Sequence, residues 1–167
     1  MPYLLVLLSL FIITGCVPQQ QNINLTNTFD VEQAKKALVS GNNTIKGNSF
    51  LKQNGGGVVT CAGNGVDLIP NTEYAKERIR NLYNNTERGF RGYNAIAFIP
   101  DNQDYHTFMK KTTCDSQGNF KFDNVADGDY FITTTVIWTV GYAPQGGALM
   151  QKVSVNNGEL KEIVLAF

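Results

Sequence analysis

The segment from Tyr130 to Val140 constrains the fold of this chain more than any other part of its sequence. β-Branched and aromatic residues fill most of this segment, and such residues favour extended strands. The side chains that can face a core alternate along it: Tyr130, Ile132, Thr134, Val136 and Trp138. The opposite face is mixed, so we expect it to be partly covered as well. A strand of this length needs hydrogen-bonding neighbours, which predicts a β-sheet in the C-terminal half of the chain.

Shorter strand signals lie on both sides of this segment, and turns rich in Asp, Asn and Gly separate them. The turns fall at 115–119, 124–129 and 156–158. Over residues 44–167 the pattern gives about seven strands, a number typical of an antiparallel β-sandwich. A helical spacing of apolar residues at 72–83 interrupts the strands, and we assign residues 72–105 to an insertion.

The segment Asp115–Ile132 resembles the central motif of carboxypeptidase regulatory-like domains, which are transthyretin-like (Ig-like) seven-stranded sandwiches. Gly118 suits a turn with positive φ, and Gly128 permits the tight reversal before Tyr130. The strand Val66–Pro70 and the residues after it resemble a variant found in bacterial lipoproteins, in which a helix follows the strand. The resemblance implies an all-β sandwich with a helical insertion. It implies no activity, because this fold carries many functions.

The first residues of the chain predict where the protein is located. An apolar run from Leu4 to Ile13 is followed by small residues and then Cys16, and this order resembles a bacterial lipoprotein signal. Residues 1–15 are then the signal peptide, and Cys16 becomes the lipid-modified first residue of the mature protein. The run is shorter than the roughly 20 apolar residues of a membrane-spanning helix. A transmembrane anchor and a cleaved signal with an incidental cysteine are the alternatives.

The residues on either side of this signal refine the predicted location. Val17 follows the cysteine, and by the same resemblance a lipoprotein without an aspartate there is sorted to the outer membrane. We therefore expect a cell-envelope protein that is anchored to the outer membrane and faces the periplasm. The segment before the apolar run lacks Lys and Arg, so its only positive charge is the α-amino group, which departs from the usual signal.

A tether and a short helix are predicted between the lipid and the sandwich. Residues 16–28 are polar and nearly uncharged, which is typical of a flexible tether. Residues 29–41 predict a short helix, in which Asp30 and Gln33 resemble a capping box and Gly41 is a suitable stop. A helix this short is marginal alone, so it must pack on the main domain or on a partner.

Three cysteines are an odd number for an exported protein. If Cys16 carries the lipid, Cys61 and Cys114 remain as a pair, and an oxidising compartment favours a disulfide between them. Two buried free thiols are the alternative. Two cysteines and the single His106 do not supply the four ligands of a structural zinc site, so we expect neither a metal nor a cofactor.

The charge balance excludes some classes of partner. Fourteen basic and fourteen acidic residues give a formal net charge of zero, which provides no basic field for nucleic acid and no polybasic patch for a membrane. Membrane attachment must then come from the lipid on Cys16. No nucleophile motif accompanies His106, so we predict no enzyme activity. Asp115, Gln117 and Asn119 alternate as calcium ligands do, but turns use the same residue types.

The insertion holds the aromatic and arginine residues that protein interfaces favour. Tyr74, Arg78, Tyr83 and Tyr93 are the predicted binding residues, and the alternative is that Tyr74 and Tyr83 pack the inserted helix onto the sandwich. We expect a non-catalytic binding or structural role, with an envelope protein or a glycan as partner. In a glycan-binding module Trp138 or Tyr142 could stack on a sugar ring, and the favoured alternative for Trp138 is a place in the core. In an accessory of a secretion or pilus assembly, the N-terminal helix would dock on the partner.

Overall fold

Two packed β-sheets form the body of the protein in a computed structural model that describes residues 21–92 and 96–167. In chain order the elements are β1 (Gln21–Asn24), α1 (Val31–Leu38), β2 (Asn43–Lys52), β3 (Val58–Thr60), β4 (Gly65–Pro70), α2 (Glu73–Tyr83), β5 (Arg88–Gly92), β6 (Ile96–Ile99), α3 (Asp104–Thr107), β7 (Lys110–Thr113), β8 (Asn119–Val125), β9 (Gly128–Val140), β10 (Ala143–Val155) and β11 (Leu160–Ala166). The predominantly β, sandwich-like fold that the strand pattern predicted is confirmed. The predicted signal peptide 1–15, Cys16 and Tyr93 lie outside the described residues.

The long C-terminal hairpin is the centre of the first sheet. This sheet has five antiparallel strands in the order β5-β10-β9-β4-β7. Strands β9 and β10 pair along their whole length, from Gly128 opposite Val155 to Val140 opposite Ala143. The second sheet is built on β2, with β11 along one edge and with β8 and β3 along the other.

The structure differs from the predicted seven antiparallel strands in two respects. The two sheets have five strands and four strands, and β11 pairs with β2 in the parallel sense. Strand β5 has no strand pattern of its own, because two of its residues are glycine and two are arginine. Pairing with β10 holds it extended, and a Cβ on Gly147 of β10 would lie 2.1 Å from the Arg91 carbonyl oxygen. This close backbone approach is a tertiary property that local propensity does not report.

The main core lies between the two sheets and contains a disulfide. Its largest members come from both inner faces: Ile45, Leu68, Phe120, Phe122, Tyr130, Ile132, Leu149 and Leu165. Cys61 and Cys114 are bonded in this core with their Cα atoms 5.8 Å apart, which confirms the predicted pair. A bridge between cysteines 53 positions apart stabilises the fold by about 4 kcal/mol in the chain-entropy description.

The insertion adds a third layer on the outer face of the five-stranded sheet. Helix α2, the parallel pair of β1 and β6, and the single turn α3 enclose a second core against Ile69, Phe131 and Met150 of the sheet. Helix α2 begins where the Thr72 hydroxyl accepts a hydrogen bond from the Ala75 N–H. We call this second cluster the insertion core.

The predicted flexible tether at 16–28 is wrong for the part that the structure describes. Strand β1 pairs with β6, Leu25 is buried, and Glu77 of α2 accepts four hydrogen bonds of 2.8–2.9 Å from Thr26 and Asn27. Desolvation opposes ionisation of this carboxyl, but the hydrogen bonds outweigh it and lower the pKa of Glu77 to about 2. A polar segment is therefore ordered by a carboxylate that is distant in sequence.

The helix predicted at 29–41 is present as α1 and packs on the body. Its N-cap Asp30 accepts a hydrogen bond from the Gln33 N–H at 3.0 Å. Ala34 is buried, and the Tyr130 hydroxyl donates to the Ala37 carbonyl at 2.9 Å. Among the residues that the structure describes, no helix is both long enough and apolar enough to span a bilayer.

Candidate functional site

The residues predicted to bind a partner in the insertion are buried. Tyr74 is 2% exposed, Arg78 5% and Tyr83 9%, all within or against the insertion core. Tyr93 lies outside the described residues. The alternative, in which Tyr74 and Tyr83 pack the helix onto the sandwich, is what the structure contains. The predicted interface at Tyr74, Arg78 and Tyr83 is therefore wrong, because their contact surfaces are already occupied within the chain.

The Arg78 guanidinium is enclosed by groups of its own chain. Its central carbon lies 4.1 Å from the ring centroid of Phe98 and 4.4 Å from that of Tyr105. One terminal nitrogen donates to Asp101 at 2.5 Å, and the same nitrogen lies 3.3 Å from the Tyr74 hydroxyl. Cation–π contacts and a charge-assisted hydrogen bond thus replace part of the hydration that Arg78 has lost, while its buried Nε has no hydrogen-bond partner among the described residues.

Two buried phenols of the insertion core, those of Tyr83 and Tyr105, remain neutral at ordinary pH. Desolvation raises the pKa of Tyr83 to about 12, against a smaller opposing effect of Arg91. Desolvation also raises the pKa of Tyr105, although Arg78 opposes it. Neither hydroxyl is prepared for acid–base chemistry near neutral pH, so this region is structural.

A second group of aromatic residues lines an open cleft where the two sheets end, and we call it the end cleft. Its volume is about 370 Å³. It is lined by Leu51, Lys52, Gln53, Asn54, Phe90, Gly92, Trp138, Gln145, Gly146 and Phe167. These residues come from the ends of β2, β5, β10 and β11 and from β9, so both sheets are needed to form it.

A close backbone approach at Gly146 and a ring–ring stack position the aromatic side chains of the end cleft. Gly146 has φ +92°, and a Cβ there would lie 2.1 Å from the Val136 carbonyl oxygen and 2.8 Å from the Trp138 ring. Glycine thus lets the indole lie directly against the neighbouring strand. Phe90 and Phe167 stack with ring centroids 5.5 Å apart, at an interplanar angle of 24°.

The rim of the end cleft carries amide side chains. Gln53 and Asn54 begin a glycine-rich turn in which the Gly56 N–H donates to the Gln53 carbonyl at 2.9 Å. Gln145 lies on the facing hairpin, directly opposite Trp138 in the register. An amide both donates and accepts hydrogen bonds, so these groups can bind hydroxyls while the rings cover an apolar face.

The sequence indicated part of this site. Trp138 lines the cleft and also packs against the main core, whereas Tyr142 lies outside the lining at the tip of the β9–β10 hairpin. Phe90 belongs to the aromatic residues of the insertion, but its contact with Phe167 was missed, because the two are 77 positions apart and only the tertiary fold brings them together.

A larger cleft, of about 720 Å³, is lined by residues of β2, β8 and β11 of the four-stranded sheet and by Thr112 and Thr113 of β7, the edge strand of the other sheet. Polar side chains line most of it, and its aromatic residue, Phe120, is only 5% exposed. The Asn48 amide donates to Asn119 at 2.9 Å, and the Asn119 amide donates to Asp115 at 3.0 Å. These groups already bind one another, so volume alone does not identify the functional cleft.

The described residues do not assemble a metal site. Within residues 21–92 and 96–167, no group of three or more His, Cys, Asp or Glu side chains is placed to hold a metal ion. The Asp115 carboxylate accepts hydrogen bonds from the backbone N–H groups of Gln117 and Asn119, each at 2.8 Å. Hydrogen bonds from Asn119 are the main cause that lowers the pKa of Asp115. The alternation at 115–119 is therefore that of a turn.

Comparison with known proteins bears on the fold. No protein-family model matches the chain, and no curated protein sequence matches it. Among solved structures, its fold is similar to that of a "putative carbohydrate binding protein" from Pseudomonas aeruginosa, with a TM-score of 0.69 and 20% sequence identity. The similarity covers 84% of this chain and 99% of that chain. The two proteins therefore share a fold over nearly the whole length of the Pseudomonas protein.

Proposed function

We propose that this protein is a non-catalytic carbohydrate-binding module and that the end cleft is its binding site. The observation that carries the proposal is the combination of Trp138, Phe90 and Phe167 with the amide side chains of the cleft lining, Gln53, Asn54 and Gln145. A pyranose ring has an apolar face of C–H groups and a periphery of hydroxyls. The aromatic rings match the face, and the amides match the periphery.

Two further observations support carbohydrate as the ligand. The end cleft has one cationic side chain, Lys52, and no acidic side chain in its lining, which suits a neutral or weakly acidic polyhydroxylated ligand. The structural neighbour from Pseudomonas aeruginosa bears a name that refers to carbohydrate binding. Protein–carbohydrate contacts of this type do not require a catalytic group or a metal.

The proposal extends to the location of the module. Cys16 carries a lipid that anchors the protein to the outer membrane, where it faces the periplasm. The sandwich is a member of the carboxypeptidase regulatory-like group, in agreement with the motif at 115–132. The disulfide between Cys61 and Cys114 supports an oxidising compartment.

Fluorescence of the single tryptophan tests the carbohydrate site directly. Trp138 lines the cleft, so a ligand stacked on it changes its emission. Soluble chito-, cello- and malto-oligosaccharides are titrated, after a glycan array has ranked other classes. We expect a saturable emission change with at least one class. An array without hits, together with no emission change, would contradict the proposal.

A matched pair of variants distinguishes the two clefts. Phe167→Ala removes an exposed ring from the end cleft, whereas Val164→Ala removes a side chain from the larger cleft on the four-stranded sheet. We expect Phe167→Ala to weaken binding and Val164→Ala to leave it unchanged. The reverse result would place the site on the four-stranded sheet.

Mass spectrometry of the protein from the membrane fraction tests the lipid anchor. The expected product begins at Cys16 and carries acyl chains, and a Cys16→Ser protein carries none. An unacylated product cleaved at another position would remove the anchor from the proposal and leave the carbohydrate site standing.

A further inference from the structure

The end of the β9–β10 hairpin projects beyond the rest of its sheet. The neighbouring strands stop early: β4 pairs with β9 only as far as Thr134, and β5 pairs with β10 only from Gly147 onward. Among the described residues, 137–140 and 143–146 therefore pair only with each other. At about 3.4 Å per residue, the projecting part extends roughly 14 Å.

The projecting hairpin has no charged side chain and ends in exposed apolar groups. The sequence contains no Asp, Glu, Lys or Arg from Tyr130 to Gln151. At the tip Tyr142 is fully exposed and Val140 is 60% exposed. Tyrosine has an apolar ring and a polar hydroxyl, and such side chains are enriched at lipid–water interfaces.

The described part of the chain begins at Gln21, close to this end of the molecule. Gln21 pairs with Ile96, and the chain from Gly92 in the end cleft to Ile96 spans at most about 14 Å. Only residues 17–20 separate Gln21 from Cys16, which limits their Cα separation to about 18 Å. Because β1 pairs with β6 and the residues that follow β1, Thr26 and Asn27, bind Glu77, a lipid on Cys16 holds this region near the bilayer.

We infer that the tip of the β9–β10 hairpin is a second membrane contact, in which Val140 and Tyr142 enter the lipid–water interface. This contact presupposes the lipid anchor proposed above. The uncharged hairpin loses no ionic hydration when it approaches lipid, and the short N-terminal link limits how far it can move away. The end cleft lies at the base of this hairpin, so its mouth lies close to the membrane surface.

A tryptophan moved to the hairpin tip tests the contact. Trp138→Phe keeps an aromatic ring in the cleft and removes the native fluorophore. In that background, Tyr142→Trp places the sole tryptophan at the tip, and Val164→Trp places it on the four-stranded sheet as the control. Both proteins are coupled at Cys16, through a thiol-reactive lipid, to phosphatidylcholine vesicles that contain brominated acyl chains, a quencher of tryptophan.

We expect a loss of emission for the tip tryptophan and little loss for the control. No quenching at the tip, or equal quenching at both positions, would overturn the inference, and so would quenching of the control alone. Thiol coupling supplies the anchor in this experiment, so the result is independent of natural acylation at Cys16. Circular dichroism of each variant before coupling confirms that it is folded.

Discussion

The insertion core and the end cleft contain the same kinds of residue but differ in what those residues touch. In the insertion core, Tyr74, Phe98 and Tyr105 surround Arg78, and the guanidinium lies over all three rings. In the end cleft, Phe90 and Phe167 stack on each other, while Phe167 is 72% exposed and Trp138 is half-buried. Aromatic rings beside a cation therefore do not define a binding site. A ligand needs a ring whose face is open, with polar side chains beside it that can still form hydrogen bonds, and the end cleft offers both.

The largest effect on stability is expected in the insertion core. Arg78→Ala removes the packing of the side chain between the rings and its ion pair with Asp101, so we expect a loss of about 3–4 kcal/mol in the free energy of unfolding. Urea denaturation measures it. Arg80→Ala, on the exposed side of the same helix, should change stability by less than about 0.5 kcal/mol. If the Arg78→Ala protein were as stable as the wild type but did not bind carbohydrate, the insertion core rather than the end cleft would contain the binding site.

The end cleft should show the opposite response, a loss of binding that exceeds the loss of stability. Trp138→Ala removes the stacking surface, for which we expect about 2 kcal/mol, or roughly thirtyfold, in the dissociation constant of the oligosaccharide selected above. Isothermal titration calorimetry measures the constant, because the variant has lost its fluorophore. Unchanged affinity in a folded Trp138→Ala protein would exclude the indole from the site.

The hydrogen bonds of Glu77 should make the docking of the N-terminal segment dependent on pH. The carboxyl has a pKa of about 2 in the folded protein, below its ordinary value of 4.5, so its contribution is complete above that ordinary value. It declines as the pH falls from 4.5 towards 2. Unfolding of the wild-type protein and of Glu77→Gln is compared at pH 7 and pH 3.

For Glu77→Gln we expect a smaller effect than for Arg78→Ala. The variant should be less stable than the wild type at pH 7, and this difference should shrink at pH 3. Glu73→Gln, which removes a carboxylate of the same helix that makes no hydrogen bond to Thr26 or Asn27, is the control, and at pH 7 it should lower stability less than Glu77→Gln does. A difference between Glu77→Gln and the wild type that grows at low pH would contradict the assigned hydrogen bonds.

The smallest effect is expected at the hairpin tip. Tyr142 is fully exposed and lies outside the cleft lining, so Tyr142→Ser should change the free energy of unfolding by less than about 0.5 kcal/mol. Its oligosaccharide affinity in solution should equal that of the wild type. A thermal melt and a titration followed through Trp138 measure the two quantities. A marked loss of affinity would extend the binding site to the tip.

Local patterns in the sequence predicted the sandwich character, the cap of α1 and the pairing of Cys61 with Cys114. They did not predict β5 or the strand at 21–24, because partners distant in sequence stabilise both. For the candidate site, the residue type of Trp138 was enough to suggest a contact with a sugar ring, whereas nothing local in the sequence suggested Phe167. A ring at the end of a chain gains its position only when β11 pairs with β2.

The sequence by itself determined the elements whose cause is local: alternation along 130–140 and turn residues at 115–119. Only the tertiary structure decided which aromatic residues are open. Tyr74 and Phe167 both carry a large aromatic ring, yet one is 2% exposed and the other 72%. The physical reason is that exposure depends on what packs against a side chain, and that partner lies on another element. The buried rings therefore stabilise the fold, and the open ones remain available to a ligand.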